Sequence, residues 1–197
     1  MAGRWVTVSL GAIMAMMVAV PTTSAQKWYE KAVKKVEGRF SPAEAVPGQT
    51  VTFTLTVELH EGYHTYPLVQ PDPAAAGMTN FIRFPAPDKL IFVGEPLDPK
   101  DFARKAEPAL GIQELRYYTG KVVYTRKAVV APQAPPGKTT IQLPNFSLSV
   151  CDSTTCFPPK KLTVEATLKI LDGPAVAVEP AYAEEVRKAT SQRSDPR

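Results

Sequence analysis

Histidine, cysteine and, beyond the first 25 positions, methionine are almost missing from this sequence. Two histidines and two cysteines occur in 197 residues, and of five methionines only Met78 lies past residue 17. A metal centre needs several such donors at ligand spacing. His60 and His64 have no further donor near them at that spacing, so neither a metal nor another cofactor is expected. Copper handling by cysteine, methionine and histidine is weak for the same reason. No G-x-S-x-G occurs, which removes the nucleophile elbow of the α/β-hydrolases. Charge of one sign is lacking too, with 23 basic against 19 acidic residues. Without Arg4 the net charge falls to about +3, too weak and too dispersed for a nucleic-acid partner. There are no internal repeats, few helical patterns, and no second long apolar run after the first.

That first run occupies residues 6–20, behind Arg4 and ahead of Thr23, Ser24 and Ala25. Residues 1–25 therefore read as a cleaved secretory signal peptide. The run is short for a membrane span, which takes about 20 apolar residues, although an uncleaved anchor is the alternative. The expected destination is the periplasm or another exported location. An oxidising envelope would put a Cys151–Cys156 disulfide within reach.

Proline richness and Val/Thr alternation point to an all-β chain. Val51, Phe53, Leu55, Val57 and Leu59 alternate with threonines and Glu58, the pattern of a strand buried on one face. Shorter apolar runs follow at residues 81–84, 90–93 and 121–130, and a closing hairpin at 141–170. About seven short strands with turn signals between them predict an immunoglobulin-like β-sandwich over residues 38–172. Residues 26–37 are expected to be a solvated lead-in, with a packed helical turn as the alternative. Residues 173–197 are expected to be a mostly disordered tail. The long loops at 67–80 and 96–111 are unusual in a small domain and are often functional.

The chemistry concentrates in residues 146–162, which hold Cys151 and Cys156. Phe146, Leu148 and Val150 alternate with Ser147, Ser149 and Cys151, which assigns Cys151 to the polar face. Pro158-Pro159 ends regular pairing, and a second strand follows. Three roles are open for the sulfurs: a structural disulfide, a redox-active dithiol, or copper handling. A six-residue disulfide loop stabilises by only about 2 kcal/mol on chain-entropy grounds. Lys160 and Lys161 would favour the thiolate, and Asp152 would oppose it. Tyr63, His64 and Tyr66, near a strand end, either line a site or form the half-buried edge of the sandwich.

The stretch VCDSTTCFPPKKLTVEATL resembles the cysteine hairpin of the N-terminal periplasmic domain family of DsbD, the thiol:disulfide interchange protein. Glu61 to Tyr66 is similar to that family's Gly-Tyr-x-x-Tyr strand end, and Tyr117-Tyr118-Thr119-Gly120 to its aromatic cap segment. The resemblance covers about residues 38–171. It implies a dithiol that takes electrons from a membrane-embedded DsbD-like donor and passes them to periplasmic thioredoxin-like oxidoreductases. It also implies that Cys156 forms the mixed disulfide and Cys151 resolves it, under a cap carrying Tyr117 and Tyr118. Tyr63, Tyr66 and Phe157 are expected to line the site. Where the family has acidic residues ahead of the cap aromatics, this chain has Leu115 and Arg116, with Glu114 nearby. DsbD continues into a membrane domain, whereas this sequence ends at Arg197, so a stand-alone, monomeric version is expected. The alternative is a non-catalytic binding module whose disulfide is structural.

Overall fold

The computed structural model describes residues 24–193. The signal-peptide assignment lies almost wholly outside them. A short helix, α1 (Ser24–Ala32), runs into strand β1 (Val33–Ser41). Then come β2 (Glu44–Ala45), β3 (Thr50–Leu59), β4 (His64–Thr65) and β5 (Phe81–Arg83). They are followed by β6 (Leu90–Leu97), β7 (Ala103–Glu107), β8 (Ile112–Thr119) and β9 (Lys121–Val130). The last strands are β10 (Gly137–Leu148), β11 (Val150–Cys151) and β12 (Lys160–Ile170), and helix α2 (Ala183–Arg193) ends the described chain.

The strands form two larger sheets, in the orders β1-β3-β9-β6 and β2-β12-β10-β5. Alternation makes them amphipathic: the inward set of β3 is Val51, Phe53, Leu55, Val57 and Leu59, and that of β12 is Val164, Ala166, Leu168 and Ile170. Both sets belong to one hydrophobic cluster, so the molecule is the expected all-β sandwich. The sheets approach closely at Gly38. A Cβ there would lie 3.0 Å from the Glu165 carbonyl oxygen and 3.2 Å from the Phe53 ring.

A third, smaller sheet runs β11-β4-β8-β7 and sits at one end of the sandwich. Half of it comes from one of the two long loops, since β7 and β8 form a hairpin inside the irregular region expected at 96–111 and beyond it.

Both ends of the described chain depart from expectation. Residues 26–37 are helix and strand rather than a solvated lead-in: Trp28 and Ala32 are buried in the main cluster, and β1 pairs along β3 from Val33 to Ser41. The expected disordered tail is also ordered over most of its length. The Val176 amide donates to the Pro47 carbonyl at 2.9 Å, and Val186 and Ala189 on α2 are buried in the same cluster. The Glu185 carboxylate accepts from the Gly94 amide at 3.0 Å. With only Val186 and Ala189 to bury, the helix shows no apolar stripe wide enough to register in sequence.

Candidate functional site

Strand β10 ends at Leu148, and the chain then leaves the second sheet for the third. Ser149 makes the crossing, its amide donating to Asn80 Oδ1 at 2.8 Å and its carbonyl accepting from Thr65 Oγ1 at 2.7 Å. Beyond it β11 pairs with β4, setting Val150 opposite Thr65 and Cys151 opposite His64. Because the chain changes sheets, the face alternation read along 146–151 does not carry through to the cysteine. Cys151 is not on a wet face: it is 2% exposed, in a second apolar cluster with Tyr66, Ala75, Ile112 and Leu115. It is away from the main core, as expected, but inside a smaller one.

Cys156 is exposed, and the two sulfurs are joined in a disulfide with their Cα atoms 4.0 Å apart. The intervening turn is built by Asp152. Its carboxylate accepts from the amides of Thr154 at 2.8 Å and Thr155 at 2.7 Å. These bonds hold its pKa below the usual carboxylate range. The Asp152 amide donates back to the Thr155 carbonyl at 2.9 Å, and the Phe157 amide to that of Val150 at 3.0 Å. The result is a narrow hairpin mouth with one sulfur facing in and the other facing out.

The inward side belongs to Tyr66. Its hydroxyl lies 3.0 Å from Cys151 Sγ, 3.6 Å from Cys156 Sγ and 3.4 Å from His64 Nε2. Burial, with a smaller contribution from Glu107, pushes the Tyr66 pKa up to about 12. Burial, aided by Lys105, lowers that of His64. A cavity of about 250 Å³ opens over the disulfide, walled by Tyr66 and His64 on one side and by the β7–β8 hairpin on the other. The hairpin contributes Leu115, the ion pair of Lys105 with Glu107 at 2.7 Å, and Leu110, which is 59% exposed at the rim. Among the described residues, no group of three or more His, Cys, Asp or Glu side chains is arranged to hold a metal ion.

No protein-family model matches the chain, and no curated protein matches it. Two solved structures superpose loosely. One is the N-terminal periplasmic domain of ScsB from Proteus mirabilis, at 20% identity and a TM-score of 0.37, covering 76% of this chain and 51% of that one. The chain thus spans about half the length of that ScsB structure. The other is a type I cohesin–dockerin complex from Clostridium thermocellum, at 16% identity and a TM-score of 0.36, covering 70% of this chain and 100% of that one. Likenesses this loose carry no chemistry, and the site is read from this chain's own residues.

Of the residues singled out in the sequence, Cys151, Cys156 and Tyr66 come together directly. Phe157 stacks on Trp28 with ring centroids 5.1 Å apart and planes at 5°, and Tyr63 lies 6.2 Å from the same ring. Together they buttress the outer side of the hairpin. Tyr117 and Tyr118 separate, because adjacent strand residues face opposite ways. Tyr117 packs edge-on to His64 at 5.2 Å. Tyr118 turns into the main core, its hydroxyl donating to the Pro99 carbonyl at 3.0 Å, so it does not cap the sulfurs. The cavity over the disulfide is walled instead by the β7–β8 hairpin. The lysines also fall elsewhere: Lys160 sits over the Tyr29 ring at 5.8 Å, and the cation lining the cavity is Lys105.

Sequence reasoning missed Asn80 and Trp28. Asn80 is 2% exposed, and its amide group reaches the Tyr66 carbonyl at 2.7 Å and Thr65 Oγ1 at 2.9 Å. With Ser149 on its carbonyl, it clamps β4 to β11 and so sets Tyr66 against Cys151. A lone asparagine in a proline-rich loop gives no signal of that role. Trp28 could have been flagged as a large aromatic in an otherwise charged stretch.

Proposed function

We propose that this protein is an exported thiol–disulfide exchange protein. Its Cys151/Cys156 dithiol would pass reducing equivalents from a membrane-embedded DsbD-like donor to thioredoxin-like proteins of the envelope. The observation that carries the reading is the asymmetry of the pair. One sulfur is exposed on a short hairpin mouth and the other is buried under a tyrosine hydroxyl, in a cluster separate from the sandwich core. The resemblance of the cysteine hairpin to the DsbD family supports the same assignment.

Exchange proceeds by thiolate attack on a disulfide sulfur through a mixed disulfide. In the reduced protein Cys156 is the sulfur a partner can reach. Its thiolate attacks the partner disulfide, forming a Cys156–partner bond and releasing the partner's other thiolate. The Cys151 thiolate then attacks Cys156 Sγ, re-forms the internal disulfide and expels the partner's second thiolate. Two electrons pass to the partner and the sandwich is left untouched.

Cys151→Ser removes the resolving sulfur and should accumulate a covalent complex with a thioredoxin-like envelope protein through Cys156. Cys156→Ser should trap little or none. A thiol-trapping titration should place the couple between roughly −120 and −270 mV, where working oxidoreductases lie. A potential below about −300 mV, together with no trapping by either variant, would leave a structural disulfide on a binding module as the better account.

A further inference from the structure

The resolving step needs a proton taken from Cys151, the buried sulfur of the pair. Its nearest polar neighbour is the Tyr66 hydroxyl at 3.0 Å, and that hydroxyl is 3.4 Å from His64 Nε2. We propose that His64, acting through Tyr66, is the positioning base that takes up the Cys151 proton during resolution. It would return the proton when the disulfide is reopened. This deepens the exchange reading and rests on it.

The Tyr66 oxygen has one proton and two partners, so its roles are linked. With Cys151 protonated, the thiol donates to the Tyr66 oxygen and the phenol donates to His64 Nε2. As Cys151 Sγ attacks Cys156 Sγ, its proton passes to the Tyr66 oxygen and the phenol proton passes to His64. The Cys151–Cys156 bond forms, the Cys156–partner bond breaks, and the partner leaves as thiolate. Tyr66 ends as it began, and His64 holds the proton until it is lost to the cavity. Reopening reverses this: Cys151 departs as thiolate, accepts the phenol proton, and Tyr66 is reprotonated from the charged imidazole. Tyrosine acts only as a conduit, since its own pKa lies far above neutrality.

His64 has an outlet for the proton. Its ring lines both the disulfide cavity and the larger groove of about 710 Å³ beside it. The charged and titratable groups around it are Lys105 and Glu107 on β7, Asp152 on the hairpin turn, Tyr117 on β8 and Tyr66 beyond β4, with Lys34, His60, Glu61 and Tyr63 along the wider groove. Burial and Lys105 favour the neutral ring over the opposing pull of Asp152 and Glu107. The base form therefore persists at neutral pH and is lost only below the ordinary histidine value of about 6.5.

The test uses the reduced protein and oxidised glutathione as the disulfide probe. Acid quenching and mass spectrometry follow the rise and decay of the Cys156–glutathione mixed disulfide across pH 5–8. For the natural protein the ratio of decay rate to formation rate should fall as pH drops through the His64 pKa. In His64→Gln the ratio at pH 7 should be lower by roughly 10²-fold, the low end for general-base assistance. The histidine inflection should vanish, and Tyr66→Phe should reproduce both changes. A His64→Gln ratio and pH profile matching the natural protein would overturn the relay and leave the exchange reading standing. A natural protein that forms no mixed disulfide would overturn the exchange reading, and the relay with it.

Discussion

At the scale of single residues, the site depends on side chains that never touch sulfur. Asn80 ties Thr65 on β4, Tyr66 and Tyr124 on β9 to the crossing at Ser149, and Tyr124 adds a hydroxyl donated to the Tyr66 carbonyl at 2.7 Å. Asn80→Ala would leave the Ser149 amide without a partner in the interior, while Thr65 Oγ1 keeps its bond to the Ser149 carbonyl. An orphaned buried polar group costs about 1–3 kcal/mol. The expected loss is therefore about 1–3 kcal/mol in a urea titration, with faster alkylation of the reduced Cys151. An Asn80→Ala protein with unchanged stability would show that the clamp is redundant with the β4–β11 pairing.

At the scale of elements, β1 carries more than its charged sequence suggests. Gly38 lets the two sheets meet, with the Glu165 carbonyl oxygen, Val164 Cγ1 and the Phe53 ring all within 3.2 Å of where a Cβ would stand. A carbonyl fixed in the β12 ladder cannot move aside as a side chain would. Gly38→Ala gains about 0.4–1 kcal/mol from the unfolded chain, but overpacking costs about 1–3 kcal/mol. A net fall in the thermal midpoint is expected by calorimetry, and a rise would mean that β12 yields there. The β7–β8 hairpin is the opposite kind of element. Its first strand is exposed on nearly every residue and lies at the edge of the small sheet. It walls the cavity over the disulfide, and of its residues only Tyr118 joins the main core.

For the whole molecule, the separation of clusters decides what reduction does. The main cluster spans both large sheets and both helices, while Cys151 belongs to the smaller one beneath the hairpin. Opening a six-residue loop removes only about 2 kcal/mol by chain-entropy reckoning. The reduced protein should keep the far-ultraviolet signature of the sandwich and lower its denaturation midpoint only modestly. Collapse on reduction would show that the disulfide is a staple. Trp28, stacked on Phe157 one residue from Cys156, supplies a fluorescence signal for following the change.

The sandwich was legible because its evidence is periodic and local. The alternation of β3 and β12 assigns each side chain to a face, and the inward set is the observed core. The two cysteines stood out by scarcity, and the expected oxidising envelope put a disulfide between them within reach. What the chain could not announce was which way each sulfur faces. That follows from the crossing at Ser149, where the strand changes sheets and face parity lapses, so Cys151 is buried although it shares the parity of the serines. The pairing of Tyr66 with both sulfurs depends on contacts across 85 and 90 residues, and the Asn80 clamp that secures it spans 69 residues to Ser149. The same holds for α1 and α2, whose few apolar side chains are buried only because the finished sandwich offers a surface to cover. Periodicity reports the face of an element, whereas the partner of that face is chosen when the elements pack.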